Sequence, residues 1–288
     1  MLPPNATLQQ TRSYLERELR KISSEREASA ITRLILEHAG YPTDILLREP
    51  TCRPGSEILT QIKEIVAEFH TGRPIQYILG YTYFMDLKIS VDEHVLIPRP
   101  ETEEMVFHIL KHQLSPPAVV VDLGTGSGCL ALALKKSYPD AAVFGTDLSP
   151  GALMVAERNA LQNRLEVTWI REDMNGDPDQ IPGNANLMVS NPPYVRESER
   201  SRMAANVLEH EPPEALFVQD SDPLIHYRSI ARLGLQLLKP GGKVWVEINE
   251  SLGAETAELF LDQGFRELNI VRDIHEKERF IHAVRPEQ

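Results

Sequence analysis

Two short segments of this chain combine residue types that can do chemistry. One is Asn191-Pro192-Pro193-Tyr194, which follows the apolar run Leu187-Met188-Val189-Ser190. Two successive prolines fix the backbone and remove two N–H donors, so the polar atoms of the turn are mainly acceptors: the Asn191 side-chain oxygen and neighbouring carbonyls. Tyr194 adds a flat face on which a planar group can stack. An amide or exocyclic amine nitrogen is a poor nucleophile because its lone pair is delocalised. Accepting both of its hydrogens concentrates electron density on nitrogen as it is alkylated. The turn therefore suits activation of a planar NH₂ group; taken alone, the same four residues also read as a proline-rich turn with an exposed tyrosine.

The other segment is Asp122-Leu123-Gly124-Thr125-Gly126-Ser127-Gly128, between the β-branched run Val119-Val120-Val121 and the helix former Cys129-Leu130-Ala131-Leu132-Ala133-Leu134. Glycines at 124, 126 and 128 let a backbone approach a ligand without Cβ interference, and the helix start behind them supplies free N–H groups. Dinucleotide loops space their glycines G-x-G-x-x-G around a pyrophosphate, whereas here the third glycine comes one residue early. No Gly-Lys-Ser/Thr follows for a triphosphate. The spacing favours a ligand without phosphates. Asp147 ends the next apolar run, 21 residues beyond Gly126, where a carboxylate can accept hydrogen bonds from both hydroxyls of a ribose. The alternative is a tight turn with Asp147 capping the helix near Ser149-Pro150.

The elements that carry these segments follow from periodicity. Leu8, Leu15, Leu19 and Ile22, then Ile31, Leu34 and Ile35, then Ile58, Ile62, Ile65 and Phe69 recur at helical spacing, with stops at Gly40, at Arg53-Pro54-Gly55 before Ser56 as an N-cap, and at Gly72 and Pro74. From Tyr81 to Ile97 the period changes to two, which predicts a β-hairpin with its turn at Asp92-Glu93-His94. Pro100 and the carboxylates Glu101, Glu103 and Glu104 open a helix that Ser115-Pro116-Pro117 ends. Beyond it, the runs 119–121, 142–145, 167–170, 187–189 and 244–248 alternate with helical segments. Strands alternating with helices give a doubly wound, mostly parallel sheet in an α/β fold. Both chemical segments sit at carboxyl ends of strands, where ligands bind in such sheets. The expected organisation is a small all-helical domain over residues 1–76, a linker and β-hairpin over 77–97, and an α/β domain over 98–288.

Composition narrows the class further. The 288 residues carry 30 Lys plus Arg against 42 Asp plus Glu, a net charge of −12. That balance argues against a body that holds duplex nucleic acid, whose sequence-independent affinity comes from cations against phosphate. Cys52 and Cys129 form no Cys-x-x-Cys pair and no disulfide framework, which fits a reducing compartment. The opening MLPPNATLQQ lacks a basic-then-apolar signal segment, and no run approaches 18 apolar residues. The expected location is cytoplasmic, with no membrane association.

The glycine loop, Asp147 and the Asn191-Pro192-Pro193-Tyr194 turn together resemble the class I, Rossmann-like S-adenosylmethionine-dependent methyltransferases that modify planar nitrogens. The segments Pro74-Ile75-Gln76-Tyr77-Ile78-Leu79-Gly80, Ile97-Pro98-Arg99-Pro100-Glu101-Thr102-Glu103, Glu211-Pro212-Pro213-Glu214-Ala215-Leu216 and Pro240-Gly241-Gly242 leading to Glu247 narrow the resemblance to the peptide chain release factor glutamine methyltransferases, over nearly the whole chain. The resemblance implies S-adenosylmethionine as cofactor and methyl transfer to the side-chain nitrogen of the glutamine in the Gly-Gly-Gln motif of class 1 release factors. It places Gly124, Thr125, Gly126, Ser127, Gly128, Asp147, Met174 and Asn191 around the cofactor, and Asn191, Pro192, Pro193 and Tyr194 around the glutamine, with Asn191, Pro192 and Tyr194 catalytic. It implies no metal and no stable nucleic-acid binding. Two departures stand out. Met174 follows Asp173 where some members have a tryptophan near the adenine, and the 272–279 segment lacks the glycine expected between Asp273 and Arg279.

Other readings remain open at this point. An adenine or cytosine amino-methyltransferase could share both motifs, although the chain lacks a basic target-recognition domain. A ribosomal-protein glutamine methyltransferase would share the cofactor site, and a cofactor- or release-factor-binding module would lack catalysis. His108 and His112 have helical i,i+4 metal-ligand spacing without an evident third ligand and read as a surface pair. Cys129 reads as a small side chain packed behind the glycine loop. Tyr81, Tyr83 and Phe84 read as the apolar face of the hairpin, and Arg99 as a clamp at the strand end or a substrate contact.

Overall fold

The computed structural model describes residues 2–113 and 115–287. The chain divides into two units, one formed by residues up to Gly80 together with Ala205–His210, the other by Tyr81–Ala204 and Glu211 onward.

The first unit contains α1 (Leu8–Leu19), α2 (Glu25–His38), α3 (Thr43–Arg48), α4 (Ser56–Phe69) and α5 (Ile75–Leu79). Thr7 and Gln10 form a reciprocal capping box at the start of α1, and Ser24 caps α2. Leu8, Leu15 and Leu19 of α1 and Ile31 and Ile35 of α2 are buried, as their spacing requires. Ile22 lies past the end of α1 and is exposed. The buried stripe of α4 is Leu59, Ile62 and Val66; of the expected Ile58, Ile62, Ile65 and Phe69 only Ile62 is fully buried, and the other three are half-buried. Ser56 is the first helical residue of α4, with Gly55 at the cap position.

The second unit opens with β1 (Tyr81–Phe84) and β2 (Leu87–Ser90), paired antiparallel. Their turn is Met85-Asp86, both at positive φ (48° and 60°), and not Asp92-Glu93-His94. A two-residue connection of this kind is usually signalled by Asn-Gly or Asp-Gly, and Met-Asp carries no such signal. Asp92 instead forms a turn of its own, accepting from the backbone and ring nitrogens of His94. Asn159 ties the hairpin down by accepting from the Ser90 N–H and donating to the Ser90 carbonyl.

The remaining elements are α6 (Pro100–His112), β3 (Val119–Leu123), α7 (Cys129–Ser137), β4 (Ala142–Asp147), α8 (Pro150–Asn163), β5 (Thr168–Arg171), β6 (Ala185–Ser190), β7 (Val195–Arg196), α9 (Ala205–His210), β8 (Phe217–Val218), α10 (Ile225–Leu237), β9 (Leu238–Glu247), α11 (Gly253–Asp262), β10 (Arg266–Arg272) and β11 (Glu278–Val284). Seven strands form one sheet in the order β10-β11-β9-β6-β3-β4-β5, parallel except where β11 meets β9 and β10. This is the α/β, doubly wound class expected, with an antiparallel hairpin added at one edge. Alternation along β9 shows both faces covered. Val244 and Val246 join the core with Tyr227, Ile230 and Phe260 from α10 and α11, while Trp245 faces His108 and His112 of α6.

Candidate active site

Strand register sets the site. Leu123 pairs with Thr146 of β4 on one side and with Ser190 of β6 on the other, and Ser190 pairs with Val246 of β9. The residues that follow, Gly124, Asp147, Asn191 and Glu247, therefore leave neighbouring strands at one level of one sheet edge. The chain runs from β3 outward through β4 to β5 and returns to β6 on the opposite side of β3. That reversal is a topological switch point, where open α/β sheets bind ligands.

The glycine loop is held open by its own backbone. Gly124, Gly126 and Gly128 all have positive φ, at 68°, 53° and 79°. A Cβ at Gly124 would lie 2.8 Å from the Met174 methyl, and one at Gly128 would lie 2.8 Å from Trp169. Side chains are thus excluded by conformation and by space. Beneath the loop, the buried Asp122 accepts from the Thr125 hydroxyl at 2.6 Å and from the Ala131 N–H at 3.2 Å. Burial pushes its carboxyl up to about 7, against the pull of those bonds. Asn159 also donates to the Ser127 carbonyl, so one amide anchors both the hairpin and the loop. Asp147 accepts from the Gly126 N–H and the Ser149 N–H, each at 2.9 Å. The helix cap proper belongs to Ser149, whose hydroxyl accepts from Ala152. Two carboxylate oxygens offer about four acceptor sites, so Asp147 keeps lone-pair capacity beyond its backbone bonds. Burial raises its pKa, and bonds from Ser149, Gly126 and Leu148 oppose the rise. Leu148, next in sequence, is an exposed apolar side chain.

The Asn191-Pro192-Pro193-Tyr194 turn is braced from a distance. Asn191 donates through Nδ2 to the Thr102 hydroxyl at 3.1 Å, and Thr102 donates to Glu247 Oε2 at 2.8 Å. The Tyr194 hydroxyl donates to the other oxygen, Oε1, at 2.9 Å. Pro192 is buried. Asn249 donates to the Tyr194 carbonyl, and its own N–H donates to the Tyr227 hydroxyl. Ser190, just ahead of the turn, donates through its hydroxyl to the Leu123 carbonyl at 2.7 Å and so joins the turn to the glycine loop. Burial raises the pKa of Glu247, opposed by the bonds from Thr102 and Tyr194 and by the charge of Arg279. Burial and the nearby Glu247 hold the Tyr194 hydroxyl well above its ordinary value.

The other candidates resolve variously. Arg99 pairs with the buried Glu211 at 2.7 Å, and Glu211 also accepts from the Ile97 N–H. That contact joins the Pro98-Arg99-Pro100 and Glu211-Pro212-Pro213 segments and gives Arg99 a clamp role. Cys129 is buried, with its thiol pushed up to about 12. The rings of His108 and of the exposed His112 both lie against Trp245, whose ring centroid is 4.7 Å from that of His282, its partner on β11. Among the described residues no three or more His, Cys, Asp and Glu side chains are placed to hold a metal. Of the hairpin aromatics only Phe84 is core; Tyr83 is exposed and Tyr81 meets it edge-on, because residues two apart share a strand face. Met174 lies beside the glycine loop, its methyl close to Gly124. Sequence reasoning missed Thr102, Glu247, Asn159 and Asp122 as parts of the site. A carboxylate ending the buried run Val244-Trp245-Val246-Glu247 was the available signal.

A family model described as a methyltransferase small domain matches residues 103–221. The release factor glutamine methyltransferase of Flavobacterium psychrophilum is 38% identical over 276 residues, covering 94% of this chain and 96% of that protein. Its counterpart in Bacteroides thetaiotaomicron is 43% identical over 227 residues, covering 78% and 81%. A methyltransferase from Pyrococcus furiosus superposes with a TM-score of 0.52 at 17% identity, over 69% of this chain and 89% of its own, a likeness of fold. Identity of this order along nearly the full length, with loop, acid and turn gathered at one sheet edge, makes the chain a member of the release factor glutamine methyltransferase family.

Proposed function

We propose that this protein transfers the methyl group of S-adenosylmethionine to the side-chain nitrogen of the glutamine in the Gly-Gly-Gln motif of class 1 release factors. The observation that carries the reading is the orientation of Asn191. Its Nδ2 is engaged by Thr102, while Oδ1 takes no hydrogen bond from the described residues and is available to accept one from a substrate NH₂. Gly124 to Gly128 and Asp147 fit the cofactor: the loop excludes side chains, and the carboxylate retains acceptor capacity for a ribose. Met174 and Leu148 offer apolar surface to the base.

S-adenosylmethionine would supply a methyl carbon activated by the adjoining sulfonium charge, with a neutral thioether as the leaving group. The chain's own contribution is placement, worth up to about 7–11 kcal/mol when the reacting atoms are well aligned. Asn191 draws the amide hydrogens toward Oδ1 and directs the nitrogen lone pair outward. Pro192 and Pro193 keep the turn from following the substrate's motion. Tyr194 offers its ring, its hydroxyl being engaged by Glu247. The excess proton on the methylated nitrogen leaves to water.

The helical region, residues 1–76, is the part we assign to recognising the folded partner. It holds a cleft of about 300 Å³ whose lining includes Arg12, Arg26, Arg33 and Tyr41. Glu16 also lines the cleft and pairs with Arg12 at 2.8 Å, so Arg26 and Arg33 carry its positive charge, which suits an acidic partner surface, while the chain's net charge of −12 argues against nucleic acid. No helix among the described residues is long and apolar enough to cross a membrane, and we place the enzyme in the cytoplasm, where its proposed substrate acts.

Mass spectrometry of a release factor incubated with methyl-labelled cofactor tests the reaction. One added methyl on the Gly-Gly-Gln glutamine, absent when that residue is alanine, is the expected result. Label on a ribosomal protein or on nucleic acid instead would overturn the reading. Arg26→Glu combined with Arg33→Glu is expected to raise KM for intact release factor and leave transfer to a short Gly-Gly-Gln peptide unchanged. Equal kinetics on intact factor would remove the cleft from recognition.

A further inference from the structure

Hydrogen-bond direction around Glu247 is tightly constrained. An ionised carboxylate has acceptors and no donor. Glu247 is 1% exposed, and its two oxygens meet the Thr102 and Tyr194 hydroxyls. Each hydroxyl must spend its single hydrogen on the carboxylate. The Thr102 oxygen is then left only with lone pairs toward Asn191, so it can bond Nδ2 and repels Oδ1. An asparagine amide is otherwise free to flip, since its two ends are similar in size. Here the choice is made two residues away.

We propose that Glu247 and Thr102 are positioning residues that lock the Asn191 amide with Oδ1 toward the substrate, and that Glu247 at the same time fixes the Tyr194 ring through its hydroxyl. The inference rests on methyl transfer to a planar NH₂ accepted by Asn191. Glu247 reaches Tyr194 directly from β9 and Asn191 only through Thr102, which lies in the first turn of α6, so the relay links three separate elements. Burial raises the Glu247 pKa, and Arg279, itself paired with Asp273 at 3.1 Å, supports the charged form. Protonating Oε2 would turn that acceptor into a donor, free the Thr102 hydrogen and allow the Asn191 amide to turn over, whereas protonating Oε1 would release the Tyr194 hydroxyl instead.

Thr102→Val removes the hydroxyl at nearly constant volume, and Thr102→Ser restores it. Single-turnover transfer at saturating cofactor and substrate is expected to fall in Thr102→Val on the order of 10- to 100-fold, the loss of one hydrogen bond to a charged group, and to recover largely in Thr102→Ser. Cofactor affinity by calorimetry should stay within about twofold of wild type, since the Thr102 hydroxyl bonds run to Glu247 and Asn191 rather than to the glycine loop. Combining Thr102→Val with Asn191→Ala should cost no more than Asn191→Ala alone, because Thr102 acts through Asn191. In the cofactor-free protein the Asn191 side-chain amide should show slowed hydrogen exchange that Thr102→Val abolishes. Wild-type turnover in Thr102→Val, additive losses in the double variant, or failure of serine to rescue would each overturn the relay. If the wild-type protein does not methylate release factor while the Asn191 amide still responds to Thr102→Val, the reaction assignment fails and the relay stands. Glu247→Gln supplies a second test: a carboxamide cannot accept from both hydroxyls, so transfer should fall and lose its acid-side pH dependence, and a retained acid limb would count against Glu247.

Discussion

The two walls of the site are built by different means. The glycine loop is braced from nearby in the chain: Thr125 and Ala131 bond Asp122, and Gly126 bonds Asp147, partners 3, 9 and 21 residues apart. The Asn191 turn is braced from far away: Thr102 lies 89 residues from Asn191, and Glu247 lies 53 from Tyr194. A cofactor cradle whose parts sit within one β-α-β unit forms as that unit forms. A turn whose geometry depends on α6 and β9, and to which we assign the activating role, exists only in the finished fold. The cradle should therefore tolerate damage to the turn, and the turn should be sensitive to changes that never touch a ligand.

Asn191→Ala should separate the walls most sharply. It removes the acceptor and leaves the proline-fixed backbone, so the transfer rate is expected to drop on the order of 10²–10³, as for loss of one preorganised polar group. Calorimetric cofactor affinity should change much less. Asn191→Asp keeps an acceptor oxygen and should retain more activity than alanine. A wild-type single-turnover rate in Asn191→Ala would sink the assignment of the turn. Asp147→Ala is the converse experiment: cofactor affinity should weaken by about 10- to 100-fold through loss of a charge-assisted contact, while the turn keeps its Thr102 and Glu247 bonds. Unchanged affinity in a folded variant would remove Asp147 from the cradle.

The same division explains what could be read in the sequence. Gly124-x-Gly126-x-Gly128 between β-branched and helical runs, and Asp147 at the next strand end, form a local pattern whose geometry follows from short-range sterics. The parallel strands were legible for the same reason. The edge hairpin of β10 and β11 was not, since Arg266 to Arg272 carries three charged residues and shows weak alternation. Thr102 and Glu247 were visible as residues but not as partners, because no spacing rule links a helix start to a strand 145 residues later. Met85-Asp86 misled because the left-handed turn uses residues that rarely adopt it.

Remote bracing should also appear as stability. Glu211 is buried, and Arg99, with its side chain 32% exposed, is its cationic partner. Among the described residues, Arg99→Ala leaves that carboxylate with the Ile97 N–H as its hydrogen-bond donor. The expected loss in urea unfolding is about 1–3 kcal/mol, below the value for a fully buried pair because water reaches the guanidinium. Arg99→Ala with Glu211→Gln should recover part of it, and a double variant no better than the single would deny the coupling.

Beneath the cradle, Asp122 gives a pH signature. Its carboxyl is raised from 3.8 to about 7 by burial, so between those values the folded state holds a proton that the unfolded chain has released. By linkage, this group's contribution to stability is greatest below its unfolded pKa and declines as pH rises through the window, then levels off above about 7. Asp122→Asn should flatten that segment of the stability–pH curve. An unchanged slope between pH 4 and 7 would place the titration elsewhere.

The smallest effect concerns the loop that carries Arg279 to the neighbourhood of Glu247. Glu276 occupies the left-handed region at φ 62°, between Asp273 and Arg279, where the family resemblance leads one to expect a glycine. Its N–H donates to the Asp273 carbonyl, and Arg272 donates to its own carbonyl, so the turn is complete despite the side chain. A non-glycine residue there carries about 1–2 kcal/mol of backbone strain, partly offset because glycine adds freedom to the unfolded chain. Glu276→Gly is therefore expected to raise stability by about 0.5–1 kcal/mol, read as an increased urea midpoint at unchanged slope. Transfer rate should not move, because Arg279 already reaches Asp273. A destabilised Glu276→Gly variant would mean that the exposed carboxylate makes a compensating interaction, and a faster one would mean that the strained turn holds Arg279 short of its best position beside Glu247.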